Sequence, residues 1–337
     1  MTRALLYCAG GGIGDSLVAS VVARALHGRF DTVDALALPG HRKTLERVPD
    51  LDGVLVDEGG DERVLARTLA AAEYDACVVT WATSRTARVP QAAKIAIRVG
   101  QARRLYSYRF THRVVVRSED GDVTSHWSDI LLDYARALGC DTADRGYRFE
   151  PTADDERDAR ATAEAAGIAL SQRPGSFVIL NPCNAIASQV ANWPTRGWTA
   201  LARALRARFE VPVLIAGGPA DAGIAREIAG QSGDGVESVA GRLGIGAFGA
   251  LARQARAFVG ITTGSMHVAA AVGCPTVGIF PFQSDFPERW APLGPQTAVV
   301  RPFYRCHRGD TKERCADYAC VAELDVARVL AALDSLT

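Results

Sequence analysis

Twice along this chain, short apolar runs of strand length alternate with helical patterns, and no other property of the sequence restricts the fold as much. In the first half such runs occupy residues 4–8, 33–38, 54–56 and 76–79, and a helical pattern carrying Leu17, Val21, Val22 and Ala25 follows the first of them. Alternation of this kind predicts a parallel sheet with helices on both faces, because each crossover helix must cover one face. A run at 113–116 and a helix at 127–138, with Ile130, Leu131, Tyr134 and Leu138 on one side and Gly139 as its stop, close an N-terminal domain near residue 150. The charged, Ala-rich stretch 151–166 has good helix propensity, and with the turn cluster 171–175 it is read as the linker. A second series follows at 177–180, 213–216, 237–239, 258–261 and 276–280, separated by helical segments such as 198–207 and 245–254. The expectation is an α/β chain of two doubly wound, Rossmann-like domains, residues 1–160 and 170–337. Loops at the carboxyl ends of both strand sets would then converge on a central cleft, the usual ligand position in open α/β sheets. No short-period repeat and no low-complexity tract interrupts the pattern.

Charge balance narrows the partners. Lys and Arg number 38 against 38 Asp and Glu, so no global positive field draws the chain to nucleic acid, and contact with a membrane would be at most peripheral. Apolar runs such as 268–272 and 276–280 are broken by Gly273 and Pro275, far short of the roughly 20 residues a bilayer span needs. The first eight residues run directly into a Gly-rich loop without a small-residue cleavage site, which reads as the first strand of a cytoplasmic protein. Eight cysteines in 337 residues form no disulfide scaffold; Cys8, Cys77, Cys183 and Cys274 fall in or beside apolar segments and are expected in the core.

Four segments carry the chemistry. Gly10-Gly11-Gly12-Ile13-Gly14-Asp15 lies between a strand and an amphipathic helix. It is either a tight turn with a capping Asp15 or a carboxylate held at a cleft edge where glycines leave room for substrate. The spacing is not that of a dinucleotide fingerprint, the second strand runs into Leu38-Pro39-Gly40 rather than an acid for ribose, and no Lys-Ser or Lys-Thr follows as in a P-loop. Thr262, Thr263, Gly264, Ser265, Met266 and His267 link a strand to an Ala-rich helix. A helix start flanked by hydroxyls suits a diphosphate, while the plainer reading is a simple cap with His267 in the core. Asn181 and the stretch 192–198, with Trp193, Pro194 and Arg196, could hold a donor sugar or phosphate, or simply pack. Gly217, Gly218 and Asp221 form a Gly-rich strand exit open to a planar or ribose group.

In order and spacing these segments resemble glycosyltransferase family 9, the heptosyltransferase family. Its Gly-x-Gly-Asp loop is matched by Gly12-Ile13-Gly14-Asp15, its Trp-Pro by Trp193-Pro194, its Gly-Gly-Pro-x-Asp by Gly217-Gly218-Pro219-Ala220-Asp221, and its Ala-Gly by Ala240-Gly241. The later signature is matched from Thr263-Gly264 to His267, then by Gly273-Cys274-Pro275 and Arg289-Trp290. The resemblance implies a GT-B fold and inverting transfer of a sugar, heptose or related, in lipopolysaccharide or surface-polysaccharide assembly. No cofactor or metal would be required. The donor would be a nucleoside-diphosphate sugar, ADP-linked favoured, the acceptor a glycan or glycolipid, and the place the cytoplasm or the inner face of the membrane. Asp15 would be the general base, and Gly12, Gly14, Asn181, Arg196, Gly217, Gly218, Asp221 and residues 262–267 would bind the donor.

Two positions depart from the family pattern. Its signature acid is Thr262 here, and the Lys two residues before Trp-Pro is Ala191. Both positions touch the donor sugar and its phosphate in the family, which leaves the sugar open and makes Arg196 the candidate replacement cation. Cys306, Cys315 and Cys320, with His307, lack paired C-x-x-C spacing; they are either a metal-binding tail or ordinary thiols. Arg85, Arg88, Lys94, Arg98, Arg103 and Arg104 either receive an anionic acceptor or form a solvated face. Two other readings share the fold: a catalytically silent nucleotide-sugar-binding module and a nucleotide-sugar epimerase.

Overall fold

The computed structural model describes residues 1–8, 10–168, 170, 175–182, 193–281, 286–303 and 319–336. Its contacts divide the chain into two units, Met1–Phe149 and Glu150–Thr337. The first unit runs β1 (Arg3–Cys8), α1 (Ile13–Leu26), β2 (Thr32–Ala37), α2 (Arg42–Leu45), β3 (Gly53–Val56), α3 (Glu62–Ala71), β4 (Ala76–Thr80), α4 (Ser84–Ala92), β5 (Ile97–Gln101), β6 (His112–Val114) and α5 (Trp127–Arg136). All its strand pairs are parallel, in the order β3-β2-β1-β4-β5-β6. The second begins with α6 (Ala153–Ala165), β7 (Val178–Asn181), α7 (Thr195–Phe209), β8 (Val213–Ile215), α8 (Ala222–Ser232) and β9 (Val236–Ser238). It continues with α9 (Ile245–Gln254), β10 (Ala257–Ile261), α10 (Gly264–Ala271), β11 (Thr276–Ile279), α11 (Pro287–Trp290), β12 (Thr297–Val300), α12 (Ala319–Ala322) and α13 (Val326–Asp334). Its order, β12-β11-β10-β7-β8-β9, repeats that of the first sheet strand for strand. Both are Rossmann-like sheets whose strand order reverses beside the first strand, the position where such sheets open a crevice for ligand.

Burial explains which strands the alternation revealed. The β1 segment Ala4-Leu5-Leu6-Tyr7-Cys8 and the β4 segment Ala76-Cys77-Val78-Val79 are fully enclosed, as central parallel strands covered on both faces must be. Helix α1 is apolar nearly all round because α5 covers the side that the sheet does not. Two strands escaped the sequence reading. In β5 only Val99 and Gly100 are buried, and a side chain on Gly100 would collide with the Phe110 ring, so this glycine makes room for an aromatic rather than ending a strand. In β12, at the sheet edge, only Val300 is buried.

The stretch assigned from sequence to a linker is largely helix α6. Thr152 and Asp155 form its capping box, and it lies along α9 of the second unit, where Glu156 meets Arg253 at 2.6 Å. Cys8, Cys77, Cys140 and Cys274 are buried, and desolvation pushes the Cys8 and Cys274 thiols up to about 12. Cys183 lies outside the described residues.

Candidate active site

At the carboxyl end of β1 the chain turns through Gly10, Gly11 and Gly12 into α1. Gly11 has φ +73°, and any side chain there would run into the Asp15 carboxylate. The Gly12 N–H donates to Asp15 Oδ2 at 2.5 Å, and Gly14 is buried in the first turn. The glycines thus wrap a half-buried carboxylate in backbone. Burial raises the pKa of Asp15 above the ordinary aspartate value, against the opposing pull of the Gly12 and Asp15 N–H groups and of His41.

His41 was missed by the sequence reading. It ends the 3₁₀ turn Pro39–His41 that follows β2, is only 8% exposed, and places Nδ1 2.8 Å from Ser16 Oγ, beside Asp15 in the chain. Burial lowers its pKa, with Asp15 pulling the other way, so the neutral ring is favoured near pH 7. The only sequence signal was its place just after the second strand, at the Leu38-Pro39-Gly40 exit.

The basic residues of this unit are largely engaged. Arg85 forks onto Asp57, with Nη2 at 2.6 Å from Oδ1 and Nε at 3.0 Å from Oδ2, and also donates to the Gly60 carbonyl at 2.8 Å. The Tyr7 hydroxyl donates to the same carboxylate. Burial alone would raise the pKa of Asp57; the Arg85 and Tyr7 hydrogen bonds outweigh it and hold the carboxyl below its usual range. Arg88 pairs with Glu62 at 2.6 Å, Arg103 with Asp120 at 2.5 Å and Arg104 with Glu119 at 2.6 Å, while Arg98 donates to the Arg109 carbonyl at 2.9 Å. Lys94 is exposed.

In the second unit the exit of β10 is built differently. Thr263 is the N-cap of α10 with extended backbone, yet its side chain makes no capping hydrogen bond. Its hydroxyl lies 2.7 Å from Ser265 Oγ and donates to the Ile261 carbonyl at 3.2 Å. Asn181, at the end of β7, donates to Ser265 Oγ from its side-chain nitrogen. Thr262, Thr263, Gly264 and Ser265 are half-buried, whereas Met266 and His267 are enclosed. The structure therefore brings Asn181, Thr263 and Ser265 together around the start of α10. The first-turn N–H groups of that helix receive nothing from the cap side chain, and the Met266 N–H donates to the Thr263 carbonyl at 3.1 Å.

The exit of β8 holds Gly217, Gly218 and Asp221. Gly218 N–H donates to Asp221 Oδ2 at 2.7 Å, and a side chain on Gly217 would meet Asp221 Cβ at 2.9 Å. Trp193 is a core residue: it is 2% exposed and packs edge-on against Trp198, ring centroids 5.1 Å apart, over Gly197, where a side chain would collide with its indole. Arg196, in the first turn of α7, is exposed, with no ion pair among the described residues. Ala191, Cys306, His307 and Cys315 lie outside the described residues, and Cys320 is buried against the core of the second unit. Among the described residues no cluster of three or more His, Cys, Asp or Glu side chains is placed to hold a metal, and no helix is long and apolar enough to cross a membrane.

Two parallel six-stranded sheets, each flanked by helices and each in Rossmann order, make this a GT-B glycosyltransferase fold. Residues 63–318, well over half of the chain, match glycosyltransferase family 9 (heptosyltransferase), and the chain belongs to that family and is a glycosyltransferase. The matched span begins after the Asp15 loop and contains the whole β10–α10 turn. Among solved structures, a family 9 glycosyl transferase from Veillonella parvula is similar with TM-score 0.86 at 17% identity, over 99% of this chain and 97% of that one. ADP-heptose lipopolysaccharide heptosyltransferase II of E. coli is similar with TM-score 0.78 at 20% identity, over 100% and 98%. E. coli heptosyltransferase WaaC, solved with ADP, gives 0.73 at 15%, over 100% of both chains. No curated protein matches the sequence.

Proposed function

We propose that the chain catalyses inverting, metal-independent transfer of a sugar, heptose or related, from a nucleoside-diphosphate donor to a hydroxyl of a glycan or glycolipid, in lipopolysaccharide or surface-polysaccharide assembly. The observation that carries this reading is Asp15: a backbone-wrapped carboxylate with a raised pKa at the carboxyl end of the first strand, beside a buried neutral His41. A carboxyl tuned upward by desolvation is a better proton acceptor near neutral pH than an ordinary aspartate. ADP-linked donors are favoured because WaaC, a similar structure, was solved with ADP.

In this mechanism the acceptor O–H gives its proton to Asp15 as the acceptor oxygen bonds to the anomeric carbon. The bond from that carbon to the diphosphate oxygen breaks on the opposite face, its electron pair leaves with the diphosphate, and the configuration inverts. The start of α10 receives the new charge through its N–H groups, with the Thr263 and Ser265 hydroxyls and the helix dipole adding to them. Asn181 fixes the Ser265 hydroxyl, and Arg196, placed on the first turn of α7, supplies a cation to the donor. Gly12, Gly14, Gly217, Gly218 and Asp221 shape the two strand exits at which acceptor and nucleotide approach the backbone.

The test is turnover of ADP-heptose with a heptose-deficient core oligosaccharide, by wild type and Asp15→Asn, alongside ADP affinity by calorimetry. The variant should lose about 10²–10⁴-fold in kcat while ADP affinity stays within a factor of about two. Undiminished turnover in Asp15→Asn would remove Asp15 from the mechanism. Loss of ADP affinity in proportion to kcat would make it a donor-binding residue instead.

A further inference from the structure

Trp81 follows β4 directly and has φ +50°, a left-handed backbone that a bulky aromatic rarely adopts. Strain of this kind persists only where the surroundings impose it, and it concentrates at functional sites. The register pairs Cys8 with Thr80, so the exits of β1 and β4 are neighbours, and a side chain on Gly10 would come within 2.9 Å of Trp81 Cβ. The first glycine of the Asp15 turn is therefore the space that Trp81 needs. Trp127, the first residue of α5, faces Trp81 with ring centroids 6.2 Å apart and planes tilted by 31°. Helix α5 lies along α1, whose first turn carries Asp15.

A comparison within the molecule shows that this pair is not ordinary core. Trp193 and Trp198 are 2% and 1% exposed, whereas Trp81 and Trp127 both keep part of their surface open. A sugar ring in the pyranose form presents a face of C–H groups with its hydroxyls around the rim. The negative face of an indole attracts such C–H groups and excludes water from them, leaving the hydroxyls free to be positioned.

We propose that Trp81 and Trp127 form a stacking platform for a pyranose ring of the acceptor, seating that ring beside Asp15. The inference rests on the glycosyl-transfer reading above and adds the acceptor side of the site. The backbone strain at Trp81 is what aims its ring at the Gly10 turn, and Trp127 braces the platform from the start of α5.

The experiment titrates wild type, Trp81→Ala, Trp81→Phe, Trp127→Ala and the Trp81→Phe/Trp127→Phe pair with two probes. These are ADP and a deacylated lipopolysaccharide inner-core oligosaccharide, followed by calorimetry and indole fluorescence. Both alanine variants should weaken oligosaccharide binding about tenfold or more, and Trp81→Phe, which keeps a ring, no more than about threefold. The paired phenylalanine variant should lose the fluorescence change that the oligosaccharide causes in wild type. ADP affinity should be unchanged throughout, which also shows that each variant is folded; Trp127→Ala, at a half-buried helix start, keeps the test open should Trp81→Ala fail to fold. Equal oligosaccharide affinity in wild type and Trp127→Ala overturns the platform, and so does a wild type that binds ADP but not the oligosaccharide. A wild type that binds the oligosaccharide through these rings but no nucleotide overturns the donor reading and leaves the platform standing.

Discussion

Strands β4 and β10 hold the same place in two sheets of identical order, each beside the first strand of its sheet, yet they release the chain into their helices in opposite ways. At the start of α4 the Thr83 hydroxyl accepts the Thr86 N–H at 3.2 Å, and Thr86 Oγ1 accepts the Thr83 N–H at 2.8 Å, so the helix closes its own end. At the start of α10 the Thr263 hydroxyl turns away, toward Ser265 and the Ile261 carbonyl. One topology thus yields a helix end capped by its own side chains and an end whose cap residue leaves the first-turn N–H groups without a side-chain partner. Fold-level likeness cannot distinguish the two; the cap can.

The comparison breaks most visibly if the open end does not bind anion. Thr263→Val combined with Ser265→Ala should raise the Kd for ADP about 10–100-fold, since hydrogen bonds to charged groups are worth roughly 1.5–3 kcal/mol. Calorimetry reads this directly, with a thermal melt as control. Wild-type ADP affinity in the double variant would place the diphosphate elsewhere and leave the two ends functionally alike.

A smaller effect separates the caps by stability. Thr83→Ala removes a hydrogen-bonded cap and should cost about 1 kcal/mol in urea unfolding, without changing ADP affinity. Thr263→Ala, whose hydroxyl caps nothing, should cost measurably less. Equal losses at both sites would mean that the two turns do the same structural task.

How much of this was legible in sequence depended on whether a residue's role was local. The enclosed strands β1, β4, β7 and β10 announce themselves as apolar runs, and Gly12, Gly14 and Asp15 are read from adjacency alone. The half-exposed β5, whose run contains Arg98 and Gly100, carries no such signal, because its pattern makes sense only once Phe110 fills the glycine's space. The same limit hid the partners of Asp15. Ser16 reaches His41 only because β2 pairs with β1, and Arg85 turns from a free cation into the clamp on Asp57 only when α4 lands beside the end of β3. Trp193 reads equally well as a ligand residue or as packing until its contact with Trp198 assigns it to the core. The strain at Trp81 has no sequence signature, since nothing in a tryptophan's own type calls for a positive φ.

The smallest expected effect sharpens the contrast between two turns that share one device. Gly12 with Asp15 and Gly218 with Asp221 form the same backbone-to-carboxylate box, at 2.5 and 2.7 Å, and the buried His41 acts on Asp15. Asp15 must be ionised to take a proton, so kcat/KM should fall as pH drops through its pKa. Burial raises that pKa, which places the acid limb above the ordinary aspartate value of about 3.9. The electrostatic pull of His41 lowers the Asp15 pKa against burial, so His41→Gln should move the limb upward. Asp221→Asn should leave the limb where it is and act on donor KM instead. Profiles of kcat/KM between about pH 4 and 8 distinguish these outcomes. A limb that moves with Asp221 and not with His41 would assign the titrating base to the second unit and reverse the division of labour between the two boxes.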